Sequence, residues 1–261
     1  MCYMKGGDYV TQELTKANIN LYAVLRNLED LCELDKDMKT LIKNISMKIK
    51  FVVKNGPKGY LSFEDGTCTF SKILDKCNII LYFKSPHHFN QMIDGKANPI
   101  PLKGLTKISF LKNEFITLTD KLSYYLKPTP SLLENETYLK NNTILTAYTA
   151  FFALAQVGNT DPIGKLSAKR IPDGIINVSI TESNTGIHLV AKNGHLKAKK
   201  GLSSKNRASM TFSDIITTNK ILTGQIDTYS CIATQKLQMK GYIPMLDNMN
   251  KLLGLVSSYL Q

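Results

Sequence analysis

The segment Met210-Thr211-Phe212-Ser213-Asp214 decides the fold, because the chain contains its counterpart 129 positions earlier, at Leu81-Tyr82-Phe83-Lys84-Ser85. Each copy ends an apolar strand with a phenylalanine and then offers a residue that can cap a helix. Apolar residues at helical spacing come next in both copies, and then a glycine, Gly95 or Gly224. One order of elements therefore occurs twice, which is typical of a tandem duplication.

Length and composition agree with two globular domains. The chain has 261 residues, of which 43% are hydrophobic, and a repeat of this length is close to the usual size of one domain. We therefore expect an N-terminal domain over residues 1–129 and a C-terminal domain over residues 130–261. No concentration of reactive side chains accompanies the repeat, so the pattern favours two related binding modules over one active site in a cleft.

The positive charge is spread over both halves of the chain. The net charge is +12; residues 1–130 hold 19 Lys and Arg against 13 Asp and Glu, and residues 131–261 hold 14 against 8, an excess of 6 in each half. This diffuse balance favours approach to an anionic partner, whether phospholipid headgroups, nucleic acid or an acidic protein. A lysine-rich solvated surface is the simpler explanation.

The cysteines and the first residues favour a soluble cytoplasmic protein. Five cysteines are scattered along the chain without a Cys-x-x-Cys motif, so we expect reduced and mostly buried thiols. Residues 1–10 are polar around Lys5 and Asp8, where a secretory leader would need an apolar core. No stretch of about 18 apolar residues occurs that would cross a membrane. The cysteines are Cys2, Cys32, Cys68, Cys77 and Cys231.

Changes of hydrophobic period mark the elements of the first domain. Helical spacing extends over residues 14–45, with a break expected near Asp35. Asp65-Gly66 supplies the positive backbone φ angles of a tight hairpin, and Ser85-Pro86 is typical of a helix start. The remaining predictions are strands at 47–53, 60–63, 67–70 and 78–83, a short strand at 108–111 and a helix at 115–125.

The second domain repeats this order. An apolar helix is predicted over residues 134–157, capped by Gly158-Asn159, and Asn193-Gly194 supplies a hairpin turn that matches the one in the first domain. Strands are predicted at 176–180, 187–191, 196–199 and 208–212, and an amphipathic helix at 243–260. Each domain is therefore expected to be α+β, a mainly antiparallel sheet of about five strands covered by helices.

The sequence contains no recognisable catalytic motif and no metal-binding motif. Residues 158–165 differ from a phosphate-binding loop, because five residues separate Gly158 from Gly164 and Leu166 stands where the magnesium-binding hydroxyl belongs. The adjacent His87-His88 pair has no Cys, Asp or Glu at metal-binding spacing. We therefore predict a non-enzymatic protein that needs neither a cofactor nor a metal.

A run of basic residues between Lys192 and Arg207 is the most concentrated charge in the chain. It contains no Phe, Tyr or Trp on which a base would stack. Lysines along an exposed strand edge explain the run better than a nucleic-acid site does. Nucleic-acid binding is therefore the last of the functional hypotheses.

The order of these motifs resembles the sterol carrier protein type 2 (sterol-binding domain) family. In the second domain the resemblance rests on Met210-Thr211-Phe212-Ser213-Asp214, Leu222-Thr223-Gly224-Gln225-Ile226-Asp227 and Gln235-Lys236-Leu237-Gln238-Met239-Lys240-Gly241. In the first domain it survives as Phe83-Lys84-Ser85-Pro86, Met92-Ile93-Asp94-Gly95-Lys96 and Lys107-Ile108-Ser109-Phe110. There the family's aspartate after the glycine is lost, and Lys112-Asn113 replaces the later Lys-Gly. The resemblance covers residues 45–126 and 174–261.

The resemblance implies two tandem sterol-carrier-like domains, the first diverged, that bind and transfer or store a sterol, a fatty acyl chain or a phospholipid in an apolar cavity. It also implies transient docking to an anionic membrane surface, and no oligomeric state is predicted. The implied lipid-binding residues are Phe212, Ile215, Ile221, Leu222, Leu237, Met239, Met245, Met249 and Leu253 in the C-terminal domain, and Phe83, Phe89, Met92, Ile93, Phe110, Phe115 and Leu118 in the N-terminal domain.

The same residues suit a second class of function. Methionine adapts to ligands of varied shape, yet each of these side chains would equally fill the core of any layer of helices on a sheet. The alternative is a non-catalytic protein-interaction or scaffold module whose cavities are filled by side chains. Lipid bound in stoichiometric amount would separate the two hypotheses.

Overall fold

The structure is a computed structural model that describes residues 6–73 and 76–260, with side chains from Val10 onward. The chain divides into two compact units between Lys127 and Pro128. Each unit contains one five-stranded sheet together with its own helices. Cys2 lies outside the described residues.

The first unit begins with a long helical segment. Its parts are α1 (Gly6–Ile19), a π-helical turn (Asn20–Val24), a 3-10 turn (Leu25–Asn27), α2 (Leu28–Leu34) and α3 (Lys36–Leu41). At Asp35 the backbone leaves the helical conformation, with φ −104° and ψ 113°, and the carboxylate accepts hydrogen bonds from the amides of Asp37 and Met38. The predicted break near Asp35 is confirmed, because this side chain caps a new helix.

The sheet of the first unit is mixed. Its strands are β1 (Met47–Val53), β2 (Lys58–Glu64), β3 (Thr67–Ser71), β4 (Ile79–Phe83) and β5 (Ile100–Lys103). The order is β3-β2-β1-β4-β5; β1 and β4 are parallel, and the other neighbours are antiparallel. The predicted hairpin is confirmed, with φ of 50° at Asp65 and 74° at Gly66. Helix α4 (Pro86–Ile93) comes after β4 and is capped by Ser85.

One predicted strand of the first unit is wrong. Residues 108–111 belong to a helical segment that comprises α5 (Ile108–Phe110), a π-helical turn (Leu111–Phe115) and α6 (Ile116–Leu126). The fifth strand is β5 instead, so Lys107-Ile108-Ser109-Phe110 is not the counterpart of the segment around Leu237. Four alternating residues are too few to distinguish a strand from one helical turn. Pro101 obscured the true strand, and proline is tolerated there because β5 lies at the sheet edge.

The second unit repeats this topology strand for strand. Its helices are α7 (Pro130–Leu133), α8 (Glu136–Thr160), α9 (Pro162–Lys169), α10 (Ile215–Leu222), α11 (Thr228–Ala233) and α12 (Ile243–Leu260). Its strands are β6 (Gly174–Ile180), β7 (Thr185–Lys192), β8 (His195–Lys200), β9 (Ala208–Phe212) and β10 (Leu237–Gly241). The order β8-β7-β6-β9-β10, with β6 parallel to β9, equals that of the first sheet. The α+β prediction with about five mainly antiparallel strands is confirmed.

The predicted cap at Gly158-Asn159 is wrong, because α8 continues to Thr160. Asp161 then caps α9, a helix that the sequence pattern did not predict. Gly158 serves a different purpose at the contact between α8 and β8. A Cβ atom at this position would stand 2.7 Å from Leu196 Cδ1, so the absence of a side chain lets the helix approach the strand closely.

A buried asparagine pair occurs in both units. In the first, Asn20 Nδ2 donates a hydrogen bond to Asn90 Oδ1 at 3.0 Å. In the second, Asn219 Nδ2 donates to Asn142 Oδ1 at 2.6 Å. Each pair joins the helical segment that precedes the sheet to the helix after the fourth strand, α4 or α10. The pairing supports the duplication independently of the apolar pattern.

A bond between an aspartate and a tyrosine is repeated in the same way. Tyr125 Oη, near the end of α6, donates to Asp35 Oδ2 at 3.0 Å. Tyr259 Oη, near the end of α12, donates to Asp161 Oδ2 at 2.7 Å. Both aspartates are helix N-caps, of α3 and α9 respectively. The last helix of each unit is therefore tied to the start of an earlier helix of that unit.

The described cysteines are free thiols. Cys32, Cys68 and Cys231 are buried and Cys77 is half-buried, which confirms the prediction of mostly buried thiols. The thiols of Cys32 and Cys68 contact each other, and this hydrogen bond together with burial raises the pKa of Cys68. A raised pKa keeps the thiol protonated and unreactive.

Candidate functional site

The sequence-implied lipid-binding residues of the second unit form a graded apolar set. Five of them are at most 4% exposed, and four are half-buried. Helix α12 packs against α8, α9, β9 and β10, so its apolar face lies over one end of the sheet. The buried members are Phe212, Ile215, Leu237, Met245 and Met249. The half-buried members are Ile221, Leu222, Met239 and Leu253.

Strand register brings part of this set together. The antiparallel pairing of β9 with β10 places Leu237 opposite Phe212 and Met239 opposite Met210. Directly opposite residues share one face of a sheet, so these four side chains form a continuous apolar patch. Met210, which is 2% exposed, was not in the implied set. Its place inside a strand that ends in Phe212 is the signal that could have identified it.

Helix α12 supplies the other side of the interior. Its buried residues include Met245, Met249, Leu252 and Val256. Leu252 is fully buried, whereas Leu253 is half-buried. A helical period of 3.6 residues places both of them near the face that contains Met249, so the sequence alone does not rank them.

The implied residues of the first unit fall into two aromatic groups. Phe83 and Phe89 are both fully buried and lie 4.8 Å apart, centroid to centroid. In the second group, Phe110 and Phe115 lie 6.5 Å apart. Leu118 of α6 is also fully buried, and Met92 and Ile93 of α4 are half-buried.

Two residues outside the implied set complete the second group. Phe63 lies 5.6 Å from Phe110, and Phe51 lies 6.3 Å from Phe115. Both project from the buried face of predicted strands, which is the signal that could have added them. Because four rings pack against one another at distances typical of aromatic clusters, side chains occupy this part of the first unit.

A surface pocket of about 380 Å³ lies elsewhere in the first unit. Its lining residues, none of which belongs to the implied set, are Met38, Thr117, Asp120, Lys121 and Tyr124. Lys121 Nζ lies 3.4 Å from Asp35 Oδ2 and 5.2 Å from the centre of the Tyr124 ring. Lys121 is thus already engaged by the Asp35 carboxylate and the Tyr124 ring.

The Asp35 carboxylate next to Lys121 has a lowered pKa, because the surrounding groups stabilise its charged form. Burial acts to raise its pKa, but hydrogen bonds from the Met38 amide and from Tyr125 Oη, with the charge of Lys121, lower the pKa below the ordinary value. These groups connect α3 to α6, which is a structural role.

The described residues show neither a metal site nor a membrane span. Among them, no group of three or more His, Cys, Asp and Glu side chains is placed to hold a metal ion. No helix in residues 6–73 and 76–260 is long and apolar enough to cross a bilayer.

The fold defines a class: two α+β units, each with a five-stranded mixed sheet of the same strand order and with buried apolar side chains on its strands and helices. No protein-family model matches the sequence, and a search of curated proteins finds no match. Solved structures that are similar to part of the chain include sterol carrier domains, each match covering about 40% of the chain.

Three of these structures illustrate the similarity. A structure described as UbiJ-SCP2, a ubiquinone synthesis protein, is 16% identical over 43% of this chain and 96% of its own, with a TM-score of 0.34. The sterol carrier protein domain 2 of Helicoverpa armigera is 13% identical over 43% of this chain and 89% of its own, with a TM-score of 0.35. Sterol carrier protein 2 of Yarrowia lipolytica is 19% identical over 38% and 89%, with a TM-score of 0.29.

Proposed function

We propose that the protein binds a lipid non-covalently in the apolar interior of at least its second unit, and carries or stores that lipid without catalysing a reaction. One observation carries the proposal: the apolar set of the second unit grades from fully buried Met245 and Met249 to half-buried Leu253 and Met239. Such a gradient would let an acyl chain or a sterol body enter from the surface and reach the interior.

The binding energy would come from desolvation of the apolar ligand. Each methylene group removed from water contributes about 0.8 kcal/mol, so a long acyl chain needs few polar contacts with its carrier. The methionines of the second unit favour a ligand of variable shape, because the unbranched thioether side chain adapts its conformation.

Helix α12 is the element that would move to admit the ligand. It covers β9 and β10, and near its end Tyr259 Oη holds Asp161 at 2.7 Å. The buried residues of α12 form one face of the helix and its other residues are half-buried or exposed, so a shift of this helix would open the apolar set.

The aromatic group of the first unit favours a different role there. Because the rings of Phe51 and Phe63 on the strands pack against those of Phe110 and Phe115 on the helical segment, we assign the first unit a scaffold role with a filled interior. A cytoplasmic location belongs to the same proposal, since the described cysteines are free thiols.

The first test is native mass spectrometry of the full chain as purified, followed by organic extraction and identification of the released molecules. We expect one discrete adduct of lipid mass that extraction removes. A bare chain that also takes up no fluorescent fatty acid would contradict lipid binding and favour the interaction-module hypothesis.

The site is tested by Leu253→Gln, with Leu260→Gln on the same helix as its control. Leu253 is half-buried in the apolar set, so a polar amide there should weaken lipid uptake about tenfold through lost apolar contact. Leu260 is 41% exposed, and its substitution should leave uptake unchanged. Equal uptake by both variants would contradict the site. Met249 is fully buried, so a charged residue in its place would destabilise the fold and would not test the lipid site.

A further inference from the structure

We propose that the outer face of the second unit's sheet docks the protein onto an anionic lipid bilayer. The inference rests on the proposed function, because a lipid carrier must meet the membrane that supplies or receives its cargo, and it adds the surface responsible. We name this surface the basic face. Its charged and titratable residues on the strands are His195, Lys197 and Lys199 on the edge strand β8, His188 and Lys192 on the neighbouring β7, and Lys240 on the other edge strand, β10.

Strand register places these side chains on one side of the sheet. Lys199 is paired with His188, His188 with Asn177, Asn177 with Ser209, and Ser209 with Lys240. Directly opposite residues on neighbouring strands project to the same side. One polar row therefore crosses all five strands, with a lysine at each end.

The alternate residues of β8 project toward the helices. Leu196 is 2% exposed, and a Cβ atom on Gly158 of α8 would stand 2.7 Å from its Cδ1. Side chains along a strand alternate between its two faces. Lys197 and Lys199 therefore point away from α8, and both are exposed.

The loop after β8 adds to the same surface. The Asn177 side chain exchanges hydrogen bonds with the backbone of Ser203 at 2.8 and 3.0 Å, and the Gly201 amide donates to Gly186 O at 2.8 Å. Because Asn177 belongs to the outer row, these bonds hold the loop over the outer face. The loop contributes exposed Lys205.

The charge of the basic face is uncompensated. In the part of the chain that the structure describes, none of its outward strand positions is acidic, and none of its lysines has an ion-pair partner. The outer face of the first sheet differs. There Lys48 Nζ lies 3.9 Å from Glu64 Oε2, and Lys50 Nζ lies 5.3 Å from the centre of the Tyr60 ring.

The chemistry of the basic face fits a bilayer better than a nucleic acid. Its cations are lysines, which act as compact hydrated point charges, whereas arginine is the residue that binds single phosphates in bidentate fashion. Nearby Arg207 is already engaged, since it donates to Asp173 O at 2.7 Å and lies 5.2 Å from the Tyr242 ring. Among the described residues, the outward positions of the second unit's five strands include no Phe, Tyr or Trp for base stacking.

The test measures cosedimentation of the full chain with vesicles of equimolar phosphatidylcholine and phosphatidylserine, and with vesicles of phosphatidylcholine alone. The variant is Lys197→Gln with Lys199→Gln. The control is Lys140→Gln with Lys165→Gln, which removes the same charge from exposed lysines of α8 and α9.

We expect the wild type to bind only the anionic vesicles, with affinity that falls as salt is added. Each lysine near an anionic surface contributes about fivefold in affinity, so the basic-face variant should bind about thirtyfold more weakly. The control should keep most of the wild-type affinity.

Three results would overturn the proposal. Equal loss in both variants would mean that net charge alone drives binding. Unchanged binding in the basic-face variant would mean that its lysines only protect a sheet edge from pairing with another chain. Binding of a single-stranded oligonucleotide without affinity for vesicles would assign the face to nucleic acid.

Docking and lipid binding fail independently. A chain that holds an extractable lipid but sediments with neither vesicle would leave the proposed function in place and remove the docking face. A chain that sediments with anionic vesicles but never contains lipid would do the opposite.

Discussion

At the scale of single residues, the two units share buried hydrogen bonds between polar side chains. Asn219 is 4% exposed and donates to Asn142 Oδ1 and to Thr143 Oγ1, at 2.6 and 3.0 Å. Buried amides must find partners, because an unpaired one costs the full desolvation of the group. Because hydrogen bonds are directional and apolar contacts are not, the pair constrains the orientation of α10 relative to α8.

Replacement of Asn219 by alanine should lower the free energy of unfolding by about 1–3 kcal/mol, since it removes two buried hydrogen bonds. The measurement is urea denaturation of Asn219→Ala, Asn142→Ala and the double variant. Residues in direct contact should show a coupling energy of about 0.5–3 kcal/mol. Additive losses would mean that the pair contributes nothing beyond its separate members.

The cap of α10 makes stability depend on pH. Burial acts to raise the pKa of Asp214, but hydrogen bonds from Ser213 and from the amide and hydroxyl of Thr217, with the charge of Lys236, lower it below the ordinary value. A folded-state pKa below the unfolded value of about 3.9 means that the unfolded chain binds more protons in acid. The stabilisation is therefore present above about pH 4 and is lost as pH falls through the folded-state pKa.

The variant Asp214→Ala should be about 1 kcal/mol less stable than the wild type at pH 7, because an N-cap is lost. The difference should shrink as the pH is lowered through the acid range. Denaturation midpoints at pH 7 and at about pH 3 measure it. Asp214→Asn is the matched control, since asparagine caps a helix without titrating; a gap between wild type and Asp214→Ala that is the same at both pH values would contradict the argument.

At the scale of elements, close approach governs what a helix tolerates. Gly158 lies within α8 where the helix meets Leu196 of β8. Gly254 lies within α12, and a Cβ atom there would meet nothing within 4 Å. Intrinsic helix propensity favours alanine at both positions by about 1 kcal/mol, so only the surroundings separate them.

We expect opposite effects from the two alanine substitutions. Gly254→Ala should stabilise the protein by about 0.5–1 kcal/mol through propensity. Gly158→Ala should destabilise it by about 1–3 kcal/mol, because the methyl group overpacks the contact with β8. Thermal unfolding of the two variants beside the wild type measures the difference. A gain in stability from both would show that α8 can move away from the strand at little cost.

At the scale of the whole molecule, each unit has the parts of an independent domain. All strand pairs among the described residues lie within one unit or the other. Each unit has its own fully buried side chains, such as Phe51 and Phe63 in the first and Phe151 and Phe212 in the second. A domain of this size buries enough apolar surface to fold alone.

We therefore propose that residues 1–127 and residues 128–261 fold when expressed separately. Each should melt cooperatively and give well-dispersed amide resonances in ¹H–¹⁵N spectra. The full chain is the control, measured under the same conditions. A half that remains unfolded at neutral pH would show that its stability depends on the rest of the chain.

The sequence by itself determined the repeated order of elements, most strands, both hairpin turns and the long helices, because these depend on local period and turn chemistry. The break at Asp35 and the positive φ angles at Asp65-Gly66 and Asn193-Gly194 are of this kind. The motif resemblance also named Met245, Met249 and Leu253 of α12 as candidate lipid-binding residues, whereas it did not name Leu252, which is buried as well.

Only the tertiary structure decided the features that depend on contact between distant segments. Residues 108–111 are helical because they begin a helical segment that continues to Leu126, and four alternating residues cannot show this. The Asn142–Asn219 and Asp161–Tyr259 bonds join residues 77 and 98 positions apart, and a polar residue in a sequence gives no sign of its partner. The basic face likewise exists only once strand register brings Lys199 and Lys240 to one side of a sheet, because charge along a chain becomes a surface only when the chain is folded.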